Sequence, residues 1–399
     1  MVYRMTEWIE CTLDKLGEIV GGATPSTKCE DYFGGSIPWI TPKDLSSFKG
    51  RYITSGERNI TEKGLASCSA QMMPKDAVLF TSRAPIGYVA IASQSVCTNQ
   101  GFKSIVVNEK ADPLFVYYLL KYNKDAIEAM GSGTTFKEVS GKTMRAVKVR
   151  IPLDVSYQKR IAAVLDSLDT KIENNERIND NLEQQAQSYF QELFVDNASP
   201  EWTTGTISDL GTVVGGSTPS KAKPEYYTES GIAWITPKDL SINKSKFVSH
   251  GENDITELGL RNSSASLMPE GTVLFSSRAP IGYIAIAAGE VTTNQGFKSV
   301  VPKPEIGTPF VYFFLKNTLP VIEGMASGST FKEVSGSTMK NVSAVIPDAE
   351  TLAKFSDFCA PIFAQQRILE EQNQSLATLR DNLLPKLMSG EIDVSAVQL

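Results

Sequence analysis

Histidine is almost missing from this chain: His250 stands alone among 399 residues. A histidine-built zinc site or a Ser-His-Asp triad would have to rest on that one side chain, so neither is expected. Cysteine is sparse as well. Cys11, Cys29, Cys68, Cys97 and Cys359 are odd in number and scattered, and no C-x-x-C pair occurs. Packed thiols in a reducing compartment fit this better than a disulfide framework. No run approaches the roughly 20 apolar residues of a membrane span, and the opening MVYRMTEWIECTLDKLG carries charge where a signal peptide is apolar. The expectation is a cytoplasmic soluble protein with no membrane partner. With 41% hydrophobic residues the chain has apolar material for two or three domains, which excludes disorder.

Catalytic signatures are absent too. No glycine-rich dinucleotide loop follows a strand, no Asn/Asp-Pro-Pro-aromatic motif of amino-methyltransferases occurs, and no metal-ligand cluster stands out. Gly141-Lys142-Thr143 resembles the end of a phosphate-binding loop, but Phe136 stands where that motif needs glycine. An independent enzyme is not expected, nor a cofactor or metal of its own. The net charge of −6 argues against nucleic acid only superficially. Residues 1–154 carry +3, 155–198 carry −4, 199–348 carry −2 and 349–399 carry −3. Much of the acidity therefore lies in two helical segments, leaving basic faces free to form elsewhere.

What the chain does have is a large internal repeat. Leu16-Gly17, Val20-Gly21-Gly22 and Thr24-Pro25-Ser26 return 194 residues later as Leu210-Gly211, Val214-Gly215-Gly216 and Thr218-Pro219-Ser220. At an offset of 195, Trp39 to Ser46 (WITPKDLS) recurs from Trp234, Ser82 to Tyr88 (SRAPIGY) from Ser277, and Thr98 to Ser104 (TNQGFKS) from Thr293. Thr135 to Gly141 (TFKEVSG) recurs from Thr330. Short β-rich runs bounded by Gly, Pro and Asn, with one helical stretch at 114–130, predict an α+β domain in each copy.

Each copy is followed by a segment of another kind. Ile161, Leu165, Leu168, Ile172, Asn175, Asn179, Leu182, Ala186, Tyr189 and Leu193 alternate spacings of four and three, the seam of a coiled coil. Phe355, Cys359, Ile362, Gln366, Leu369, Asn373, Leu376, Arg380, Leu383 and Leu387 repeat the pattern. Asn175, Asn179, Gln366 and Asn373 within the seams are expected to set helix register or partner docking. The domains are placed at 1–154 and 199–348, and the helices at 155–198 and 349–399. Antiparallel pairing of the helices would relate the two domains by a pseudo-twofold.

Candidate contacts to DNA come from the polar loops present in both copies. Arg83 and Arg278, after an apolar strand, can reach a guanine edge or a phosphate, or brace the fold by pairing with an acid such as Asp44. Asn99, Gln100, Asn294 and Gln295 carry amides suited to adenine or to turn backbone. Lys43, Ser82, Thr134, Thr135 and Lys137, with Lys238, Ser277, Ser329, Thr330 and Lys332, complete the set. The loop from Gly131 to Lys137 is either a phosphate cradle or a tight turn. Trp39, Phe102 and Phe136 are read as core rather than stacking platforms.

Taken together these residues resemble the specificity subunits of type I restriction-modification enzymes, along essentially the whole chain. The resemblance rests on Trp39-Ile40 with Asp44-Leu45, Ser82-Arg83 with Ile86-Gly87, Asn99-Gln100-Gly101, and Gly133-Thr134 with Phe136. Gln158 with Ile161-Ala162 and Leu165 to Asp169 opens the first helix, and the chain ends LRDNLLPKLMSGEI from Leu379. The second helix opens instead with Thr351-Leu352-Ala353-Lys354-Phe355. The resemblance implies two target recognition domains, each reading half of a bipartite site in double-stranded DNA. It also implies helices that space the halves and dock two methyltransferase subunits, beside a separate restriction and translocase subunit. S-adenosylmethionine, ATP and magnesium would belong to those partners. Because the candidate loops agree between copies, the half-sites are expected to match, giving a near-palindrome. The copies differ mainly at 27–37 against 221–233 and at 47–59 against 242–254, the segments responsible if the half-sites differ. A two-domain coiled-coil scaffold or a stand-alone DNA-binding regulator are the alternatives.

Overall fold

The computed structural model describes residues 7–133, 137–328 and 332–398. The chain divides into two compact units, Met1–Glu173 with Gln374–Leu399, and Asn174–Asn373. Both are assembled in the same way: one globular copy, the opening part of the long helix that follows it, and the closing part of the other long helix. The helices run Val155–Gln191 and Ala349–Ser389. At 1.5 Å per residue the first is about 55 Å long.

In the first unit a five-stranded sheet has the order Gly17–Gly21, Lys103–Val107, Val78–Ser82, Ile86–Ala92, Tyr52–Ile53. Its pairings are antiparallel except the last, which is parallel. The strand Val78–Ser82 is buried along its whole length, because its side chains feed two cores in alternation. Val78 and Phe80 join Ile105, Phe115, Tyr118 and Ile161 under the helices, while Leu79 joins Ile40, Ala90, Met73 and Phe102 on the opposite side. Each fully buried Phe or Leu contributes about 1.5 to 3 kcal/mol. A smaller sheet, Asn59–Ile60, Phe33–Ile40 and Cys97–Thr98, carries Trp39. Trp8–Thr12 pairs with Lys148–Pro152 and so closes the copy on itself.

The second unit repeats this plan. Its sheet order is Gly211–Gly215, Lys298–Pro302, Val273–Ser277, Ile281–Ala287, Phe247–Val248, and Thr203–Thr206 pairs with Ser343–Ile346. One detail departs from the expected single helix at 114–130. The first copy breaks it at Asn123 into Pro113–Tyr122 and Lys124–Ala129, and the Asn123 side-chain amide donates to the Leu119 carbonyl at 2.8 Å beside the break. The second copy has an unbroken Thr308–Gly324 that contains Pro320.

The junction of copy and helix explains Gln158. It is fully buried, accepts from the Asp112 N–H at 2.9 Å and donates to the carbonyls of Pro152 and Lys110 at 2.9 and 3.2 Å. Buried Leu352 takes the corresponding place in the second helix, where it can only pack, and Trp202 donates to Asp348 at 2.8 Å at that joint. The chain's ending folds back on the first unit. Gly390, at φ +78°, terminates the helix against the Trp8 ring, Arg150 donates to the Ser389 carbonyl, and the Tyr157 hydroxyl donates to Asp393. Among the described residues no helix is long and apolar enough to cross a membrane.

Candidate nucleic-acid interface

The repeated loops meet at one end of each copy. In the first, a bulge between Phe80 and Ser82 ends the regular pairing of Val78–Ser82 with Ile86–Ala92, and residues 83–85 turn the chain between them. The Ser82 N–H and hydroxyl both donate to the Gly101 carbonyl, at 2.7 and 3.2 Å, and the Val139 N–H donates to the Ser82 carbonyl at 2.9 Å. Three segments are thereby tied together: the turn after Ser82, the Asn99-Gln100-Gly101 turn and the 131–139 loop. Asn99 Oδ1 accepts from the Gly101 N–H at 2.8 Å, and the Asn99 N–H donates to Ile40. Gly22 passes so close to this turn that a Cβ there would sit 2.1 Å from the Asn99 carbonyl oxygen. The Val-Gly-Gly motif is thus a close backbone approach. The Thr24 hydroxyl binds Gln100 Oε1.

Thr41-Pro42-Lys43-Asp44 is a capping box. Asp44 accepts from the Thr41 N–H and hydroxyl at 2.7 and 2.6 Å, and its other oxygen takes the Glu57 N–H at 2.8 Å. Lys43 stands exposed and pairs with Glu57 at 2.7 Å; that hydrogen bond raises its ammonium pKa.

The charged centre of this end is a row of three side chains. Lys103, mostly buried on its strand, approaches Glu138 at 3.5 Å, and Glu138 in turn faces Arg83 at 3.6 Å. The backbone of Glu138 is clamped on the Ser132 side by reciprocal hydrogen bonds of 2.9 and 3.0 Å and bridges to Arg83 on the other. The expected brace for Arg83, Asp44, is engaged elsewhere; the acid is Glu138. The second copy reproduces the row, with Arg278 to Glu333 at 3.6 Å and Lys298 to Glu333 at 3.5 Å.

The predicted residues divide accordingly. Arg83, Asn99 and Gln100, with Arg278, Asn294 and Gln295, lie together at these ends, and Lys137 and Lys332 are exposed beside them. Ser82 and Ser277 are corrected: both are fully buried, and their hydroxyls are taken by Gly101 and Gly296, so they hold the turn and cannot touch a ligand. Lys43 and Lys238 carry acidic partners, Glu57 and Glu252. Thr134, Thr135, Ser329 and Thr330 lie outside the described residues, as does Phe136. Trp39 and Phe102 are buried. Glu138 and Lys103 were not singled out from sequence, although both sit inside repeated blocks that marked them.

Also unforeseen are the buried cations where each copy meets its helices. Arg51, 6% exposed, reaches Asp166 at 3.0 Å, Glu173 at 3.3 Å and Asp169 at 4.0 Å. Asp169 also receives Tyr118 and Arg380, each at 2.7 Å. In the second unit Lys246, 7% exposed, meets Glu183 at 2.5 Å and Gln366 at 2.7 Å and lies 3.9 Å from the centre of the Phe363 ring. Burial by itself raises the Glu183 carboxyl, but Lys246 and Lys316 beside it hold it below the usual range. Of the polar seam residues, Asn175 donates to Asn373 at 2.9 Å, and Gln366 donates to the backbone carbonyl of Asn179 at 3.1 Å. Within each unit the helix segments run antiparallel: in one, Asp169 meets Arg380 while Tyr157 meets Asp393 just past the helix end, and in the other, Asn175 meets Asn373 while Glu183 meets Gln366.

A two-copy α+β chain with paired helices and basic, amide-bearing loop ends has the features of a DNA-reading module. The family model for the type I restriction modification DNA specificity domain matches residues 5–184 and again 200–379, so each match spans one copy and most of its helix. The chain belongs to this family. The MjaIX specificity subunit of Methanocaldococcus jannaschii, a type I restriction enzyme subunit, is 31% identical over 97% of this chain and 94% of that protein. The HindI specificity subunit of Haemophilus influenzae is 24% identical over 73% of this chain and 80% of its own length. In fold, the chain resembles the crystal structure of an S subunit from M. genitalium, with a TM-score of 0.60 at 17% identity over 97% of both chains.

Proposed function

We propose that this chain is the sequence-reading subunit of a type I restriction-modification complex, acting in the cytoplasm on double-stranded DNA. Each copy reads one half of a bipartite target with its loop end. The helices link the two readers and dock two methyltransferase subunits, and a restriction and translocase subunit joins them. Methyl transfer and cleavage belong to those partners; this chain supplies the address. Two weak half-site readers joined in one chain gain affinity by linkage, which is why each needs few base contacts. The observation that carries the reading is the Lys103, Glu138, Arg83 row, reproduced at equal distances by Lys298, Glu333 and Arg278 within a chain of this family.

Because the two loop ends carry the same charged row and amides, the half-sites are nearly the same and form an interrupted palindrome. Lys43, Arg83, Asn99, Gln100, Thr134, Thr135 and Lys137 and their second-copy equivalents make the contacts, with lysines on phosphate and the arginine and amides nearer the bases. Asn175, Asn179, Gln366 and Asn373 set helix register. The test is selection from a randomised duplex pool by the purified complex with its methyltransferase subunits, with binding titrated against salt. Recovery of a two-part motif, and affinity that falls steeply with salt, is the expected result. Binding without sequence choice contradicts the reading.

A further inference from the structure

Glu138 and Glu333 are out of place on a surface that only grips DNA phosphates. A carboxylate a third exposed at a phosphate-facing end repels the backbone, and the chain presents one there twice. The surrounding geometry shows how it is held. Lys103 and Lys298, with side chains 17% and 15% exposed, lie too deep to serve as surface grips, and each anchors its glutamate from below. The glutamate then faces an arginine at 3.6 Å, a separation longer than a hydrogen bond, so the pair is fixed electrostatically while the guanidinium keeps its donors for another partner. Two cations and one anion leave the cluster net positive. Arg83 and Glu138 lie on a turn and a loop, but Lys103 is on a strand and backbone bridges clamp Glu138 to both Ser132 and Arg83, giving the rigidity that base reading demands.

An exposed donor fork beside an exposed acceptor matches one edge in particular. In the major groove a G·C pair presents N7 and O6 of guanine as acceptors and, next to them, the N4 amino group of cytosine as donor. An A·T pair places a donor where the arginine needs an acceptor. We infer that Arg83 with Glu138, and Arg278 with Glu333, each read one G·C base pair, arginine on guanine and glutamate on cytosine, so that both half-sites contain that pair. Lys103 and Lys298 are positioning residues. This inference rests on the DNA-reading function proposed above and adds the base and the residues.

The test expresses the full chain with its methyltransferase subunits in a host lacking DNA modification and sequences the methylated bases. The unaltered chain is expected to give a two-part motif with a G·C pair common to both halves. Arg83→Lys keeps the charge but loses the fork, and Glu138→Gln keeps the shape but loses the acceptor charge. Each is expected to relax the choice at that one pair in one half, from a preference of roughly ten- to hundredfold to little, and to leave the other half unchanged. Methylation of the same motif at a lower or equal rate in both variants overturns the inference in favour of a phosphate grip or a structural brace. Loss of all methylation in both also overturns it, since removing a base reader relaxes choice before it abolishes binding. A motif whose halves share no G·C pair overturns the inference and leaves the DNA-reading role standing; no motif at all from the unaltered complex removes that role.

Discussion

Arg51 and Lys246 occupy the same place in their copies, just before the edge strand of the five-stranded sheet, where the backbone carbonyl of each accepts from the neighbouring strand at 2.7 Å. Their surroundings are nonetheless different. Arg51 is matched by three acids on the helix that follows its own copy. Lys246 takes Glu183 from one helix, Gln366 from the other and the face of Phe363, while Glu370 accepts from the backbone N–H groups of Lys246 and Phe247 at 2.8 and 3.0 Å. In the charged row at the loop ends, by contrast, the two copies give the same ion pairs at the same distances. A buried charge has to be balanced, but many arrangements balance it, so a docking network is free to drift as a set. A surface that must present a given donor and acceptor to a base edge has no such freedom unless its target changes with it.

The sharpest way to break this comparison is to remove the two buried cations. Arg51→Met leaves Asp166 and Glu173 without their cation, while Asp169 keeps Tyr118 and Arg380, and should cost about 3 kcal/mol. Lys246→Met should cost less, because Lys316 still reaches Glu183 at 2.5 Å and Glu370 keeps its backbone donors. Denaturant unfolding of the full chain measures both, and equal losses would show the networks to be equivalent after all. The loop ends should behave in the opposite way. Gly22→Ala and Gly216→Ala drive a Cβ to 2.1 and 2.0 Å from a carbonyl oxygen, so each should cost about 1 to 3 kcal/mol and the two losses should agree.

Acid separates the units further. Glu183 is held below its ordinary value in the folded chain, so its contribution is complete above its unfolded pKa of about 4.3 and is lost as pH falls through the folded value. Glu183→Gln should therefore lower the melting temperature at pH 7 and make it less sensitive to pH below about 4. A melting curve equally acid-sensitive in the variant would contradict this. The smallest effect belongs to the exposed lysines. Lys137→Ala and Lys332→Ala should each reduce the slope of log affinity against log salt by about 1, equally in the two copies and without changing the motif.

Much of this was legible in the sequence because the chain states its design twice. The seam residues from Ile161 to Leu193 and from Phe355 to Leu387 are all turned away from solvent to some degree, as a coiled-coil spacing requires. The repeat also located the loops, since the recurring blocks gather at the loop ends. It could not tell a hydroxyl that reads from one that holds. Ser82 is as faithfully repeated as Arg83, and only the fold shows it buried against Gly101. Arg51 and Lys246 escaped notice for the opposite reason: they lie in segments where the copies diverge, and their meaning comes from acids more than 60 positions away. Gln158 was visible as a motif residue, but its three backbone partners are a property of the folded joint.

The most direct test of the central claim, that equal loop ends read equal half-sites, is to sequence the methylated bases made by the complex of this chain with its methyltransferase subunits. The account predicts a motif whose two halves match when one is read on the complementary strand, with a nonspecific spacer between them. Halves that differ at the positions the loop ends contact would contradict it and shift the choice of target to residues 27–37, 47–59, 221–233 and 242–254, where the copies diverge.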